Sequence, residues 1–353
     1  MKKIFILLFT FSALHAFAQT SADLEQVYLR AFRYYQQGKI DSSTYILEEV
    51  IKNVGFKNLY QDTKADVYKL LAMSYITLDR LQDTEKPLRK MLALRPFYKP
   101  QDDDLIRLRV ALDTLKATSL FSLGIRVGGN VTFPTRIGDA FSVISSLDNP
   151  NLGEEKYNIG YSYYLGFFFR YRVFKNIAIV IMPSLTNYAF GYQESYTLGR
   201  ANRTDRIVTN FNYDYKQNIS YLEIPFSVNY SIAPNSRLRP FVSAGWFQSF
   251  LLNATKTSNS TFVTASQSFP NKENFISANS GYMVGFGITY EFNKFALNID
   301  ARYKYGLLNL TNSSNRFANP VAALGFYDIP NDIKINNIEL GFSLLYHLNF
   351  KVF

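Results

Sequence analysis

Between Ser119 and Phe353 apolar and polar residues alternate, and they do so over runs longer than the strands of soluble sheets. In Leu120–Pro134, Phe121, Leu123, Ile125, Val127, Val131 and Phe133 share one side, while Ser122, Gly124, Arg126, Gly128, Asn130 and Thr132 share the other. Side chains of a strand point alternately to its two faces, so this run has one apolar and one polar face. Soluble strands are commonly ~5–6 residues long, whereas a tilted strand needs ~9–11 to cross a bilayer. The pattern returns in Tyr157–Phe174, Ile177–Tyr196, Ile219–Ile232, Pro240–Asn253, Ser280–Phe292, Phe295–Leu310 and about Lys334–Phe350. Eight such runs predict an eight-stranded antiparallel transmembrane β-barrel.

The connections between runs alternate in length. Lys175-Asn176, Ala233–Arg239 and Asn293-Lys294 are short; Thr135–Lys156, Thr197–Asn218, Ala254–Asn279 and Thr311–Ile333 are long. Barrels of this kind keep short turns periplasmic and long loops extracellular, which puts both barrel termini in the periplasm.

Upstream the period changes. Leu24, Val27, Tyr28, Ala31 and Tyr35 follow a 3.6-residue spacing that Gly38 interrupts, and a second helix starts near Asp41. Ala65–Leu78 and Asp83–Leu94 form a second pair ending at Pro96, and a further helix is predicted over Asp102–Lys116, its three leading carboxylates suited to a helix N-terminus. Ala72, Tyr75, Leu81, Leu88 and Pro96 resemble the pattern of tetratricopeptide repeats, and Ala31, Tyr34, Gly38, Ile40 and Leu47 match it in the first pair. The two sets are 41 residues apart rather than ~34, so Gly55–Gln61 is read as an insertion; a generic four-helix bundle is the alternative. Lys2, Lys3, the apolar Ile4–Leu14 and Ala16-Phe17-Ala18 read as a secretory signal peptide. The expected organisation is a signal peptide at 1–18, a periplasmic helical domain at 19–118 and the barrel at 119–353, an α + β multidomain chain.

Composition fits a membrane strand set. The chain is 47% hydrophobic, yet its mean hydropathy is only -0.09, as expected when half of every strand is polar. Aromatics reach 16%, with 26 Tyr and 31 Phe against 1 Trp. The formal charge of +10 falls to +8 without Lys2 and Lys3, and in this compartment it does not argue for nucleic acid. The absence of Cys excludes disulfides, thiolate metal sites and a lipid-bearing N-terminal Cys.

The motifs Tyr221-Leu222-Glu223-Ile224-Pro225-Phe226, Pro240-Phe241-Val242-Ser243-Ala244-Gly245, Gly281-Tyr282-Met283-Val284-Gly285-Phe286-Gly287 and Ala301-Arg302-Tyr303-Lys304-Tyr305-Gly306-Leu307 recur in that order. Together they resemble the PorT-type outer-membrane β-barrel domain over most of 119–353. Phe353 is out of step with Phe350, Leu348 and Tyr346, a departure from the usual terminal aromatic of barrels. The resemblance implies an outer-membrane location and a family of mixed function, some members tied to protein secretion.

Inward faces carry Arg126, Arg170, Arg172, Arg302 and Lys304 against Glu223, Glu291, Asp300 and Glu339. In a lumen only wide enough for side chains, these are expected to pair as a plug, an ion path being the alternative. His347 is the one histidine left after signal removal and is expected to be structural, so no catalytic set, metal site or cofactor is predicted. The basic run Arg200–Arg206 reads as a solvated loop, or as a contact for anionic lipopolysaccharide. The expected function is a non-enzymatic anchor or scaffold whose helical domain binds a periplasmic or outer-membrane protein, with Tyr28, Tyr35 and Tyr68 as groove-side candidates. Its environment is outer-membrane lipid. The alternatives are a surface protein binding through its loops, a narrow channel or a lipid-modifying enzyme.

Overall fold

The computed structural model describes residues 23–101, 104–138, 155–199, 208–261, 263–317 and 329–353. The signal peptide expected at 1–18, the carboxylates Asp102 and Asp103, and the basic run 200–206 lie outside the described residues. The chain forms two compact units: Met1–Leu120 with Leu348–Phe353, and Phe121–His347.

In the first unit α1 spans 23–36 and ends at Gly38, whose φ of +76° suits a residue without Cβ. It is followed by α2 (Ile40–Lys52), a 3-10 turn (Val54–Asn58), α3 (Gln61–Thr77), α4 (Leu81–Leu94) and α5 (Ile106–Thr114). Leu47, Val50, Val67, Leu70 and Leu71 recur at helical spacing and are buried together, while Ala31 and Ala72 leave no exposed surface. The insertion expected at 55–61 is partly the 3-10 turn; the Asn53 carboxamide caps it by accepting from the Gly55 N–H at 2.8 Å.

The last helix differs from expectation. It starts at Ile106 rather than Asp102, because Asp104 folds inward instead of standing at a helix N-terminus. Its carboxylate accepts from the Tyr98 hydroxyl at 2.6 Å and the Gln101 N–H at 2.8 Å, and pairs with the Lys69 ammonium at 2.6 Å. Burial works to raise the Asp104 carboxyl, but Lys69, Tyr98 and the Gln101 amide outweigh it and hold it below the ordinary value.

The second unit carries a ten-stranded antiparallel sheet: β1 (Ala117–Gly138), β2 (Glu155–Arg172), β3 (Ile177–Ile181), β4 (Ser184–Gly199), β5 (Val208–Ser231), β6 (Leu238–Ser260), β7 (Val263–Pro270), β8 (Ala278–Phe292), β9 (Phe295–Gly306) and β10 (Asp332–Val352). The order β3-β5-β4-β2-β1-β10-β9-β8-β6-β7, with β5 also paired to β6, closes the sheet on itself. Sequence reading predicts eight runs, and two features make the difference. The run 177–196 is broken at Met182-Pro183, since proline has no N–H for the ladder, and both fragments pair with β2 and β5. The stretch 254–279, expected as loop, contains β7, which pairs with β6 alone. The expected loop 197–218 is likewise part ladder, with Gly199 opposite Val208.

The faces separate as alternation requires. Ile125, Val127, Tyr161, Leu165, Phe167, Phe286, Leu340 and Phe342 are exposed, while Ser122, Arg126, Tyr164, Phe168 and Arg170 are buried on the other face. The Asn293-Lys294 turn is closed by Asn293 at φ 51°, a left-handed conformation that Asn tolerates. Among the described residues no helix is long and apolar enough to cross a membrane.

Candidate functional site: the polar lumen of the barrel

Eight of the nine lumen residues singled out from the sequence are buried and Glu291 is partly buried, and the structure sorts the nine into two clusters. The first lies at mid-strand. Asp300 on β9 meets Arg126 on β1 at 2.8 Å and the Nε of Arg302 at 2.8 Å. Arg126 also faces Glu339 on β10 at 3.5 Å. The Lys304 ammonium bridges Glu339 and Glu223 on β5. Glu223 additionally accepts from the Tyr188 hydroxyl at 2.6 Å and from Ser249 at 2.9 Å. Three cations thus face three carboxylates, and the Arg126 guanidinium lies 4.4 Å from the centre of the Tyr164 ring. The ring and guanidinium fit because neighbours are small: a Cβ on Gly128 would stand 2.3 Å from the Tyr164 oxygen, and one on Gly341 2.5 Å from Arg126.

The second cluster lies at the short-turn end. Glu291 on β8 receives Arg170 and Arg239 at 3.2 Å each and Arg172 at 3.4 Å, all on one oxygen. Its other oxygen is 2.6 Å from His347 Nε2, and His347 Nδ1 is 2.9 Å from the Ser122 hydroxyl oxygen. Here three guanidiniums share one carboxylate, and the Nη1 of Arg172 is buried without a hydrogen-bond partner. Phe168 and Leu345 stand between the clusters along β2 and β10 and pack with Val180, Met182, Phe247, Met283 and Ala296. Toward the long loops the lumen is filled by an aromatic cluster of Tyr188, Tyr192, Tyr213, Tyr215 and Tyr221, with Tyr192 and Tyr215 stacked at 5.0 Å.

Ser122, His347 and Glu291 line up as a serine–histidine–carboxylate relay, and that arrangement bears on enzymatic chemistry. A nucleophile must reach a substrate carbonyl. Ser122 is 0% exposed, and its oxygen also takes a bond from Arg170 at 3.3 Å. The relay therefore acts as a brace between β1, β8 and β10. Among the described residues there is no group of three or more His, Cys, Asp or Glu able to hold a metal.

Sequence reading missed Arg239, Tyr164, Tyr188 and Ser249. The short connection Ala233–Arg239 takes in Arg239, although extending the alternation of Phe241 and Ser243 back by one pair of residues turns it inward. Tyr164 shares its parity with Arg170 and Arg172 and so falls on the inward face, but alternation gives a face and not a partner, so its place beside Arg126 is not legible in the sequence. The partner-face candidates Tyr28, Tyr35 and Tyr68 all pack half-buried against the helical core. Burial and the Asp66 charge push the Tyr28 hydroxyl up to about 12, and Tyr68 meets Phe56 edge-on at 5.5 Å.

A closed antiparallel sheet with an apolar outer face and a polar, side-chain-filled interior defines a membrane-spanning β-barrel. The chain belongs to the outer membrane protein beta-barrel domain family, which it matches over residues 112–312. This makes it an outer-membrane protein of Gram-negative bacteria with a separate N-terminal helical region. Comparison with curated proteins returns no match. Solved structures similar to it include Neisserial surface protein A, at 12% identity, covering 66% of this chain and 99% of that one with a TM-score of 0.31. OprG of Pseudomonas aeruginosa aligns at 16% identity over 65% and 98% with a TM-score of 0.33. The Escherichia coli outer membrane protease OmpT aligns at 9% identity over 65% and 96% with a TM-score of 0.34.

Proposed function

We propose that this protein is a non-enzymatic outer-membrane anchor, a plugged barrel that presents a periplasmic helical domain to a partner protein. The ten strands are read as eight traversals, β3 with β4 and β7 with β8 each counting once. An eight-stranded barrel leaves an interior that side chains can fill. The observation that carries the reading is that filling: ion pairs, apolar residues and tyrosines occupy successive levels of the lumen. A plugged barrel neither conducts nor seats a substrate, so the binding capacity lies outside it. The helix pairs 23–52 and 61–94 are tetratricopeptide-like units behind a signal peptide, and repeat helices of that kind bind peptides or partner helices. The PorT-type motifs in the barrel favour a subunit of a secretion or assembly complex.

Crosslinked pull-down from cell envelopes, with and without residues 19–117, tests the reading. Loss of specific partners on deletion is expected; identical partner sets from both chains would overturn it. Trimming the long loops separates it from surface binding: the anchor keeps its partners, whereas a loop-mediated binder loses its ligand and tolerates the deletion.

A further inference from the structure

The helical unit contains a groove of about 660 Å³ between the end of α2, the 3-10 turn, α3 and α4. Its floor is apolar, built from Ile51, Phe56, Tyr68 and Leu94. Its walls carry four lysines, Lys52, Lys57, Lys64 and Lys90, and no acidic residue lines it. The acids next along α3 do not neutralise it, because Asp62 and Asp66 are held by Arg95 at 3.0 and 2.5 Å. Lys52 is shared with Glu49 at 3.0 Å, and Lys64 donates to the Lys57 carbonyl at 2.5 Å. Lys57 and Lys90 have no ion pair among the described residues, and both are exposed.

The groove is built rather than incidental. Asn53 caps the 3-10 turn, Lys64 ties it to α3, and Phe56 is locked edge-on against Tyr68. A Cβ on Gly55 would come within 3.0 Å of the Leu24 side chain, so the turn is seated closely on α1. This turn falls in the stretch that the repeat pattern marks as an insertion. Val54 at its outer edge is 87% exposed, a bare apolar side chain beside the lysines.

We propose that this groove binds an acidic, extended peptide segment of a partner protein, with one apolar side chain on the Phe56–Tyr68 floor and flanking carboxylates on the lysines. The inference rests on the partner-binding reading above and deepens it. Charge complementarity selects the sign, since four ammoniums line the groove and only Lys52 has an acid beside it, Glu49, which favours carboxylates. The concave apolar floor selects a peptide over a lipid surface, because a recess takes a single anchoring side chain whereas a bilayer is broad and flat.

The test uses the full chain in detergent micelles and a fluorescein-labelled decapeptide of Asp and Glu with one central Phe. Anisotropy should show saturable binding that weakens as salt is raised. K57E/K90E should weaken it at least about tenfold, since each exposed charge contact contributes modestly and both are reversed. A peptide with Ser in place of Phe should bind more weakly than the parent. Both lysines are exposed, and the helical content of the variant by circular dichroism checks that it folds. Absence of binding, or equal binding to K57E/K90E, would overturn the proposal. Phosphatidylglycerol vesicles competing as well as the peptide would overturn it in favour of a lipid surface. In envelopes, partner capture that K57E/K90E leaves unchanged but deletion of 19–117 abolishes would sink the groove alone. Capture unaffected by either change would sink the partner-binding reading itself.

Discussion

The two ionic clusters of the lumen use the same residue types and reach opposite balances. At mid-strand, Arg126, Arg302 and Lys304 are matched by Glu223, Asp300 and Glu339, all with side chains 4% exposed or less. At the short-turn end, Arg170, Arg172 and Arg239 share Glu291, and there Glu291 and Arg239 keep 13% and 11% of their side chains exposed. Where water is excluded the charges cancel; where some solvent reaches, an excess of guanidinium is carried. The cost of an unmatched charge rises steeply as its surroundings become less polar, which accounts for the difference. A filled lumen is therefore graded by its access to water.

The largest expected effects come from unbalancing the cancelled cluster. Lys304→Met strands Glu223 and Glu339 and should cost about 3–5 kcal/mol, read as a lower temperature for loss of the heat-modifiable folded band. Adding Glu339→Gln restores equal numbers of charges, so the double variant should lose less than the sum of the singles by about 0.5–3 kcal/mol. Strict additivity would mean that Lys304 acts alone. Glu291→Gln, which removes the one carboxylate of the other cluster, belongs in the same range.

Steric disruption of the same cluster should be milder. Gly341→Ala places a Cβ 2.5 Å from both Arg126 and the Tyr164 oxygen, and such overpacking typically costs about 1–3 kcal/mol. A melting temperature equal to wild type would show that the Arg126–Tyr164 stack has room to shift.

Another buried carboxylate, Asp104 in the helical unit, extends the comparison beyond the lumen. Its pKa lies below the ordinary carboxylate value when folded, so its contribution is complete above about pH 4 and disappears as pH falls through the folded value. Hydrogen-exchange protection in α3 and α5, taken relative to the intrinsic exchange rate at each pH, should fall at acid pH compared with neutral pH. Asp104→Asn should lose about 1–2 kcal/mol at neutral pH and show little of that acid dependence. Identical pH profiles for the two chains would show that Lys69–Asp104 pairing does not hold this unit together.

The smallest effect is the sharpest probe of the difference between clusters. Arg172 makes one 3.4 Å contact within an excess of positive charge. Arg172→Met should change stability by no more than about 1 kcal/mol in either direction, because lost attraction and relieved repulsion offset each other. A loss as large as that of Lys304→Met would mean that the excess charge is compensated by something other than Glu291.

Alternation of period two, sustained in runs such as 157–174, was enough to assign membrane strands and the inward face of Arg126, Glu223 and Lys304, because a strand has no other way to orient its side chains. The same logic located the turn at Asn293-Lys294. Helical spacing identified the pairs 23–52 and 61–94, since apolar residues recurring about every 3.6 positions share a face that must be buried. What remained to the tertiary structure were questions of who faces whom. That Asp104 serves Lys69 rather than a helix terminus, that β3 and β4 part at Pro183, and that Arg239 and Ser122 join Glu291 all depend on register between strands or helices far apart in the chain. Charge balance is decided there too: nine ionisable residues of mixed sign were legible in the sequence, but their partition into a cancelled cluster and an arginine-rich one follows from strand stagger. The lysine groove depends instead on helix packing, since its walls come from four separate segments of the helical unit. Side-chain direction is a local property of each backbone, whereas partnership is set by packing across the whole fold.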